Sequence, residues 1–349
     1  MATVLWTPDR ITTALWLDAA DSNTLTLNGS NVSQWDDKSG NNYEFTQGTS
    51  TVQPAYTTTQ NSLNTVDFDQ DYLQSTAASS IWKWLHDATT KYTFVGVIKP
   101  KDSNNRIIWG TNTGSTSTVG ANLRREGTEG LASRAVSYWV TRGSNDYRVL
   151  KYTDADAVAD NTWGIVTLDS DLANATISDR GLITADGQAA GDNNFSTTNQ
   201  SASTANPSET LRIGSNATNS APFVGEMAEL VFLDYEATTD TVQKIEGYLA
   251  HKWGLAASLP AEHPYKDSAP MVLGLFDGTV IDKDGNPVER RITVLDTTGQ
   301  CVATDTSDPV TGAYSITVPA ESPYTLVFDG EPDRNAQVFA NVIPGEPPA

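Results

Sequence analysis

Leu211-Arg212-Ile213-Gly214, followed by Phe223-Val224-Gly225-Glu226-Met227-Ala228-Glu229-Leu230-Val231-Phe232-Leu233, decides the fold. The first piece reads as a short strand and the second as a strand apolar on both faces. Met227, Val231 and Leu233 point one way, and Ala228, Leu230 and Phe232 the other. A strand without a wet face needs cover on both sides, from a second sheet or from a helix. The helix follows directly. Val242, Ile245, Leu249 and Trp253 recur at spacings of three and four, Thr239 or Asp240 can cap the start, and Gly254 sits where a C′ glycine belongs. A helix arriving after a long polar, turn-rich run predicts a β-sandwich closed by one docked helix.

Outward from this stretch the chain is a series of short strands punctuated by turns. The clearest are 11–16, 65–68, 92–99, 106–109, 135–140, 148–152, 162–168 and 182–185. Tyr92–Lys99 is apolar on both faces and belongs mid-sheet. The turn Asp37–Asn42 and the Ser/Asn/Ala-rich tract Asp186–Asn206 read as exposed loops. Asp267-Ser268-Ala269-Pro270 marks a boundary. The expected organisation is a sandwich domain over 1–266, a linker over 267–273, a small β-sandwich over 274–343 and an extended tail over 344–349. In the small domain Gly274–Ile281 is expected to pair with Ile292–Asp296 across Asp282-Lys283-Asp284-Gly285-Asn286-Pro287. Further strands are expected over 300–304, 313–318 and 324–328.

The 349 residues include nine Trp, twelve Tyr and nine Phe, enough aromatic bulk for a large core. No apolar run approaches the ~18–20 residues that cross a bilayer, so membrane insertion is not expected. The N-terminal Met-Ala-Thr-Val-Leu-Trp lacks the basic and apolar regions of a secretion signal, so folding is expected in a cytosol. A single cysteine, Cys301, excludes an intrachain disulfide and any multi-cysteine metal cluster. A net charge of −21 argues against sequence-independent nucleic-acid binding, which needs clustered cations.

Leu211–Leu233 with Ile245-Glu246-Gly247-Tyr248-Leu249-Ala250-His251-Lys252-Trp253-Gly254 resembles the closing portion of a laminin-G-like, concanavalin A-like jelly roll. The opening segment agrees: Leu15-Trp16-Leu17-Asp18-Ala19, then Val32-Ser33-Gln34-Trp35-Asp36-Asp37-Lys38-Ser39-Gly40, then Val66-Asp67-Phe68-Asp69, with Leu85-His86-Asp87 ahead of the Tyr92 strand. These anchors bracket residues 11–266. The stretch Gly278–Val288 resembles carboxypeptidase-regulatory-like, transthyretin-like or Ig-like sandwiches. This jelly-roll variant is common in tailed-phage virion proteins and marine bacterial surface proteins.

The resemblance therefore implies an all-β protein and a non-enzymatic structural role in a tailed-phage virion, displayed on the capsid or tail surface as a decoration or fibre-like component. It implies other virion proteins as partners, self-association with a trimer as first expectation, and a host-surface glycan as ligand. The implied location is the virion surface, reached after folding in the host cytoplasm. The rival readings are a secreted-type carbohydrate-binding adhesin and a polysaccharide-degrading enzyme of the concanavalin A-like class.

The enzyme reading requires two carboxylates on one strand face, ~5–5.5 Å apart in a retaining glycosidase. Glu226-Met227-Ala228-Glu229 is the nearest candidate, but residues three apart on a regular strand face opposite ways. Asp234 and Glu236 share a face only where the strand gives way to a loop. No catalytic residue is therefore expected. His86, His251 and His263 are scattered and read as structural. Asp67-Phe68-Asp69-Gln70-Asp71 and Asp282-Lys283-Asp284-Gly285 imitate calcium loops, but position twelve from Asp282 is Thr293 rather than a bidentate Glu, and both read as turns. No cofactor is expected and no metal ligand set is specified, although the resemblance permits one Ca²⁺ at the sandwich rim. For a glycan, the candidate contacts are Trp82 and Trp84, which share a face if Ile81–Leu85 is extended, together with Tyr138 and Trp139. Core packing competes at each of these four positions.

Overall fold

A computed structural model describes residues 5–127, 132–144, 147–189, 194–195, 201, 203–216, 218–320, 323–330 and 336–345. The chain divides into two compact units, one over Thr7–Ala269 and one over Pro270–Ala349 that also takes in the first residues. Leu5 bridges to Met271, and the Trp6 N–H donates to the Pro270 carbonyl over 2.9 Å. Backbone pairing thus puts Leu5 and Trp6 in the C-terminal unit, and the expected start of the first domain at residue 1 is corrected accordingly.

The larger unit is a jelly-roll β-sandwich whose strands, among the described residues, pair antiparallel, with one isolated parallel bridge between Ile107 and Pro222. Its first sheet runs Ala55–Gln60, Leu63–Asp69, Val224–Leu233, Lys91–Pro100, Gly164–Asp171 and Leu182–Ala185. Leu15–Asp18 takes over from Leu63–Asp69 along the second half of Val224–Leu233, pairing Leu15 with Phe232 and Asp18 with Glu229. The second sheet runs Asn31–Asp36, Glu44–Thr46, Leu73–Ser75, Arg212–Ile213, Arg106–Gly110, Val119–Arg125, Val136–Arg142 and Tyr147–Tyr152. The two inner faces meet in an aromatic core. Trp109 lies edge-on to Phe94 and Phe232, with centroids 5.9 and 5.6 Å apart. Trp35, Phe45, Phe68 and Tyr138 are fully buried in the same core.

The outer face of the first sheet is covered by the helix Thr239–Lys252, which packs on Lys91–Pro100 and Gly164–Asp171. Ile245, Leu249 and Trp253 are fully buried, as the periodicity predicts. The cap is Thr238, one residue before the expected position, whose hydroxyl accepts from the Thr241 N–H. Gly254 follows at φ 70°. The Asn61 amide donates to the Lys252 carbonyl and the Gln60 amide to the Trp253 carbonyl, satisfying the helix's open C-terminal end.

Val224–Leu233 departs from strict alternation. Met227 pairs with Ile98 but Glu229 pairs with Val97, so Ala228 is an extra residue in a β-bulge. Met227 therefore joins Leu230 and Phe232 in the sandwich core, not Val231 and Leu233 on the outer face. Glu226 lies opposite Lys99 and Glu229 opposite Val97, two residues apart on one strand, so both carboxylates emerge on the same face.

The C-terminal unit has a two-stranded sheet, Leu273–Thr279 with Ala313–Pro319, and a four-stranded sheet ordered Cys301–Thr306, Arg291–Leu295, Tyr324–Phe328 and Gln337–Val342. Phe276, Ile292, Val294, Ile316, Val318, Tyr324 and Leu326 form its core. The expected pairing of 274–281 with 292–296 does not form. Ile281 and Pro287 close a small loop, held by Asp282 accepting from the Asp284 and Asn286 N–H groups, and the chain then crosses to the other sheet. The tract 186–206 and the tail 344–349 lie partly outside the described residues. Within the tail, Gly345 exchanges backbone hydrogen bonds with Leu275.

Gly247 supplies a stability test. Alanine in a helix interior ordinarily gains about 1 kcal/mol over glycine. A Cβ at Gly247 would lie 2.4 Å from Tyr265 Cβ, an atom carried by the backbone rather than by a flexible tip. Gly247→Ala should therefore lower the melting temperature, and a higher melting temperature in thermal unfolding would refute this packing.

Candidate functional site

Strand Gly164–Asp171 ends in Asp169-Ser170-Asp171, a loop with a 3-10 turn at Ile177–Asp179 follows, and Leu182–Ala185 returns. Beside this edge the chain leaves Leu233 and enters the helix. Between the edge and the helix's first turns lies a cleft of about 710 Å³. Its walls carry the carboxylates of Asp169, Asp171, Asp179, Glu236 and Glu246, with amides and hydroxyls between them, and Lys151 reaches it from the second sheet.

Each acid is held differently. Asp169 accepts from the Thr93 hydroxyl at 2.7 Å, and that hydroxyl in turn accepts from the Ala237 N–H at 3.0 Å. Glu246, buried on the helix, accepts from the Thr167 hydroxyl at 2.7 Å, and His263 Nε2 lies 3.4 Å from its other oxygen. His263 Nδ1 accepts from the Tyr265 N–H, which places the ring proton of a neutral imidazole on Nε2, facing Glu246. Lys91 bridges Asp171 and Glu236 at 3.0 and 2.6 Å. Lys151 donates to the Ser178 carbonyl at 2.9 Å, and burial pulls its pKa down.

Asp186 sits near the cleft and accepts from the Ile165 N–H at 2.8 Å. Burial, then the charge of Glu246, pushes Asp186 up to about 6. Asp169 is likewise raised to about 6, by burial first and then by Glu246 and Glu236. Burial beside other carboxylates thus raises the proton affinity of Asp169 in the cleft wall and of Asp186 near it.

The sequence candidates fall elsewhere. Ile81–Leu85 belongs to the 3-10 helix Ser79–Leu85, so Trp82 and Trp84 do not share a face. Trp82 is fully buried against Tyr43 and Phe45, and Trp84 packs on Tyr92 and Phe232. Tyr138 is fully buried, its hydroxyl 3.0 Å from that of Ser170. Trp82 and Tyr138 are therefore corrected from glycan contacts to core residues. Trp139 is half-buried on the outer face of the second sheet, with Arg124 4.4 Å above its ring and Tyr147 edge-on.

The bulge overturns the expectation that Glu226 and Glu229 face apart, yet both are enclosed. Glu226 accepts from Thr59 and Thr65 and pairs with Lys99 and Lys101, each at 3.2 Å. Burial would raise its pKa, but these hydroxyls and Lys101 outweigh that and hold it below the usual range. Glu229 is surrounded by Trp16, Tyr248, Lys252 and Trp253. Asp234 is exposed, and Glu236 lines the cleft. His86 Nε2 donates to the Ala205 carbonyl and His251 Nε2 to the Tyr265 carbonyl, so both tie loops down. Among the described residues, no group of three or more His, Cys, Asp or Glu side chains is arranged to hold a metal ion.

The geometry defines a jelly-roll β-sandwich with an acidic cleft beside its docked helix. No family model matches the chain, and no curated protein matches its sequence. Similar solved structures include Ruminococcus gnavus IT-sialidase CBM40 bound to α2,3-sialyllactose, with a TM-score of 0.34 and 13% identity, covering 44% of this chain and 80% of that one. The botulinum neurotoxin serotype G binding domain aligns with a TM-score of 0.45 and 10% identity over 94% of this chain and 74% of that one. Domain 4 of AbnA, a GH43 extracellular arabinanase from Geobacillus stearothermophilus, in complex with arabinotriose, aligns with a TM-score of 0.43 and 13% identity over 67% of this chain and 98% of that one.

The cleft makes stability depend on pH. A carboxyl raised from 3.8 to about 6 in the folded state contributes stability that is complete below pH 3.8 and lost as pH rises through about 6. For each of Asp169 and Asp186 the loss is on the order of 2–3 kcal/mol. Asp169→Asn and Asp186→Asn keep an acceptor oxygen but remove this loss. Urea unfolding should show each variant gaining on the wild type at pH 7.5 relative to pH 4.5. An equal difference at the two pH values would contradict the assignment.

Proposed function

We propose that this chain is a non-enzymatic display protein whose jelly roll binds a carbohydrate in the acidic cleft. The cleft itself carries this reading. Its volume of about 710 Å³ suits a small ligand, and its walls present hydrogen-bond acceptors on several sides. Sugar hydroxyls are donors, and hydrogen bonds to ionised carboxylates are the stronger kind. No aromatic ring is among the described lining residues, so recognition runs through hydrogen bonds rather than stacking. The surplus of carboxylates repels acidic sugars and favours neutral or amine-bearing ones. On a glycan array, neutral or amino-sugar ligands should give signals and sialylated or sulfated ones none. Asp169→Ala should weaken binding about tenfold or more. Silence across all neutral and amino glycans would sink the proposal.

One observation favours a second reading. Asp169, titrating near 6 beside Glu246, has the properties of a general acid for glycoside hydrolysis. Release of reducing ends from a bound polysaccharide, abolished in Asp169→Asn, would replace binding by catalysis as the function.

The setting we propose is the surface of a tailed-phage particle, on capsid or tail, with self-association as a trimer and the small unit supplying assembly contacts or a spacer. The sequence resemblance of residues 11–266 and 278–288, together with the strongly acidic composition, supports it. Peptide mass spectrometry of purified particles encoded with this chain should find it as a stoichiometric component. Its absence from them would remove the virion role.

A further inference from the structure

Lys252, in the last turn of the helix, meets Asp18 of the strand Leu15–Asp18 and Glu229 of the central strand. Its Nζ lies 2.7 Å from Asp18 Oδ1 and 2.6 Å from Glu229 Oε2. The Asp18 and Glu229 side chains are 4% and 0% exposed and that of Lys252 is 19% exposed. Trp16 and Trp253 are also buried and donate their ring N–H groups to Glu229. An amine, a carboxyl and a second carboxyl able to move protons are thus held together with little water. We propose that Lys252 and Asp18 condense into an intramolecular isopeptide bond, with Glu229 as the catalytic proton carrier.

The step balances without a co-reactant. The Lys252 ammonium passes one proton to the Glu229 carboxylate, and the freed Nζ lone pair attacks Asp18 Cγ. Negative charge builds on Asp18 Oδ2, where Lys38 Nζ stands 2.9 Å away. Oδ1 then departs, taking the proton held by Glu229 and a second from Nζ. One ammonium and one carboxylate become one amide and one water, with nothing oxidised or reduced. Burial, then the Asp18 charge, holds Glu229 above the usual carboxylate range, which suits it to accept and return a proton. The fold supplies the effective concentration that the same two groups lack in water.

The bond would join the first strand of the sandwich to its last helix and so close almost the whole of Thr7–Ala269 into one covalent ring. No disulfide can do this in a chain whose single cysteine, Cys301, lies in the other unit. An ordinary salt bridge leaves the mass unchanged, whereas condensation removes one water.

Intact-mass spectrometry of the purified full-length chain, denatured immediately before injection, should read one water below the sequence mass. Digestion should yield a branched peptide joining the segments around Asp18 and Lys252. Lys252→Arg keeps a cation at the site and should restore the full mass. Glu229→Gln should slow the loss of water about a hundredfold. The full sequence mass in wild-type protein after prolonged incubation at neutral pH overturns the proposal. So does a water loss that persists in Lys252→Arg, which marks a succinimide at Asp18 instead. The branched peptide is read on the wild type, so the test decides even where a variant fails to fold.

Discussion

A single buried carboxylate organises the larger unit. Glu229 is fully enclosed and accepts from four donors: Trp16 Nε1 at 2.7 Å, Tyr248 Oη at 2.9 Å, Lys252 Nζ at 2.6 Å and Trp253 Nε1 at 2.8 Å. Taking a charge out of water is tolerable only where its lone pairs are fully engaged, and removing one partner of such an arrangement typically costs ~3–5 kcal/mol. The donors come from the first strand and from the helix, while the acceptor sits on the central strand. Any displacement of the helix strands the charge, so the helix has one position on the sheet.

The surrounding sequence serves the same contact. The bulge at Ala228 turns Glu229 outward, because in regular alternation from Met227 its side chain would face the sandwich core. Lys252 and Lys38 both pair with Asp18, and Lys38 also pairs with Asp21 and lies 4.4 Å from the centre of the Trp16 ring. Asp37, in the same turn, accepts from the Trp16 N–H, and the Lys38 N–H donates to the Trp16 carbonyl. The Asp37–Asn42 segment, which reads in sequence as an exposed turn, is thus the outer layer of the charge network.

The fold was legible because its strongest signal is thermodynamic. A strand with no polar face, followed by a helix with one apolar stripe, admits few arrangements. What escaped were local departures from regular periodicity. The bulge moved Met227 and Glu229 to faces that strict alternation denies them. The 3-10 helix Ser79–Leu85 turned Trp82 inward, where an extended reading put it beside Trp84. In the small unit, hairpin chemistry around Asp282 to Pro287 was visible, but pairing depends on which apolar face each strand contributes. Phe276 and Ile292 come from opposing sheets of that core. The cleft was not legible at all. Asp169, Asp171, Asp179, Glu236 and Glu246 have no common spacing, and only the meeting of a strand end, a loop and a helix start brings them together.

The helix carries a second environment along its first turns, from Thr239 to Glu246. Near Lys252 every buried charge has an opposite charge or several donors within hydrogen-bond distance, and that end is fixed. Near Glu246 the acids outnumber the cations. Lys91 serves Asp171 and Glu236, while Asp169, Asp186 and Glu246 rest on hydroxyl, backbone and imidazole contacts. The positive end of the helix dipole lies on this side and offsets part of the repulsion, though only by some tenths of a kcal/mol to ~1 kcal/mol. Burial first, and then this repulsion, raises the proton affinity of Asp169 and Asp186. The clamp near Lys252 fixes the helix against the sheet, and with it the place of the Glu246 carboxylate beside Asp169 and Asp186.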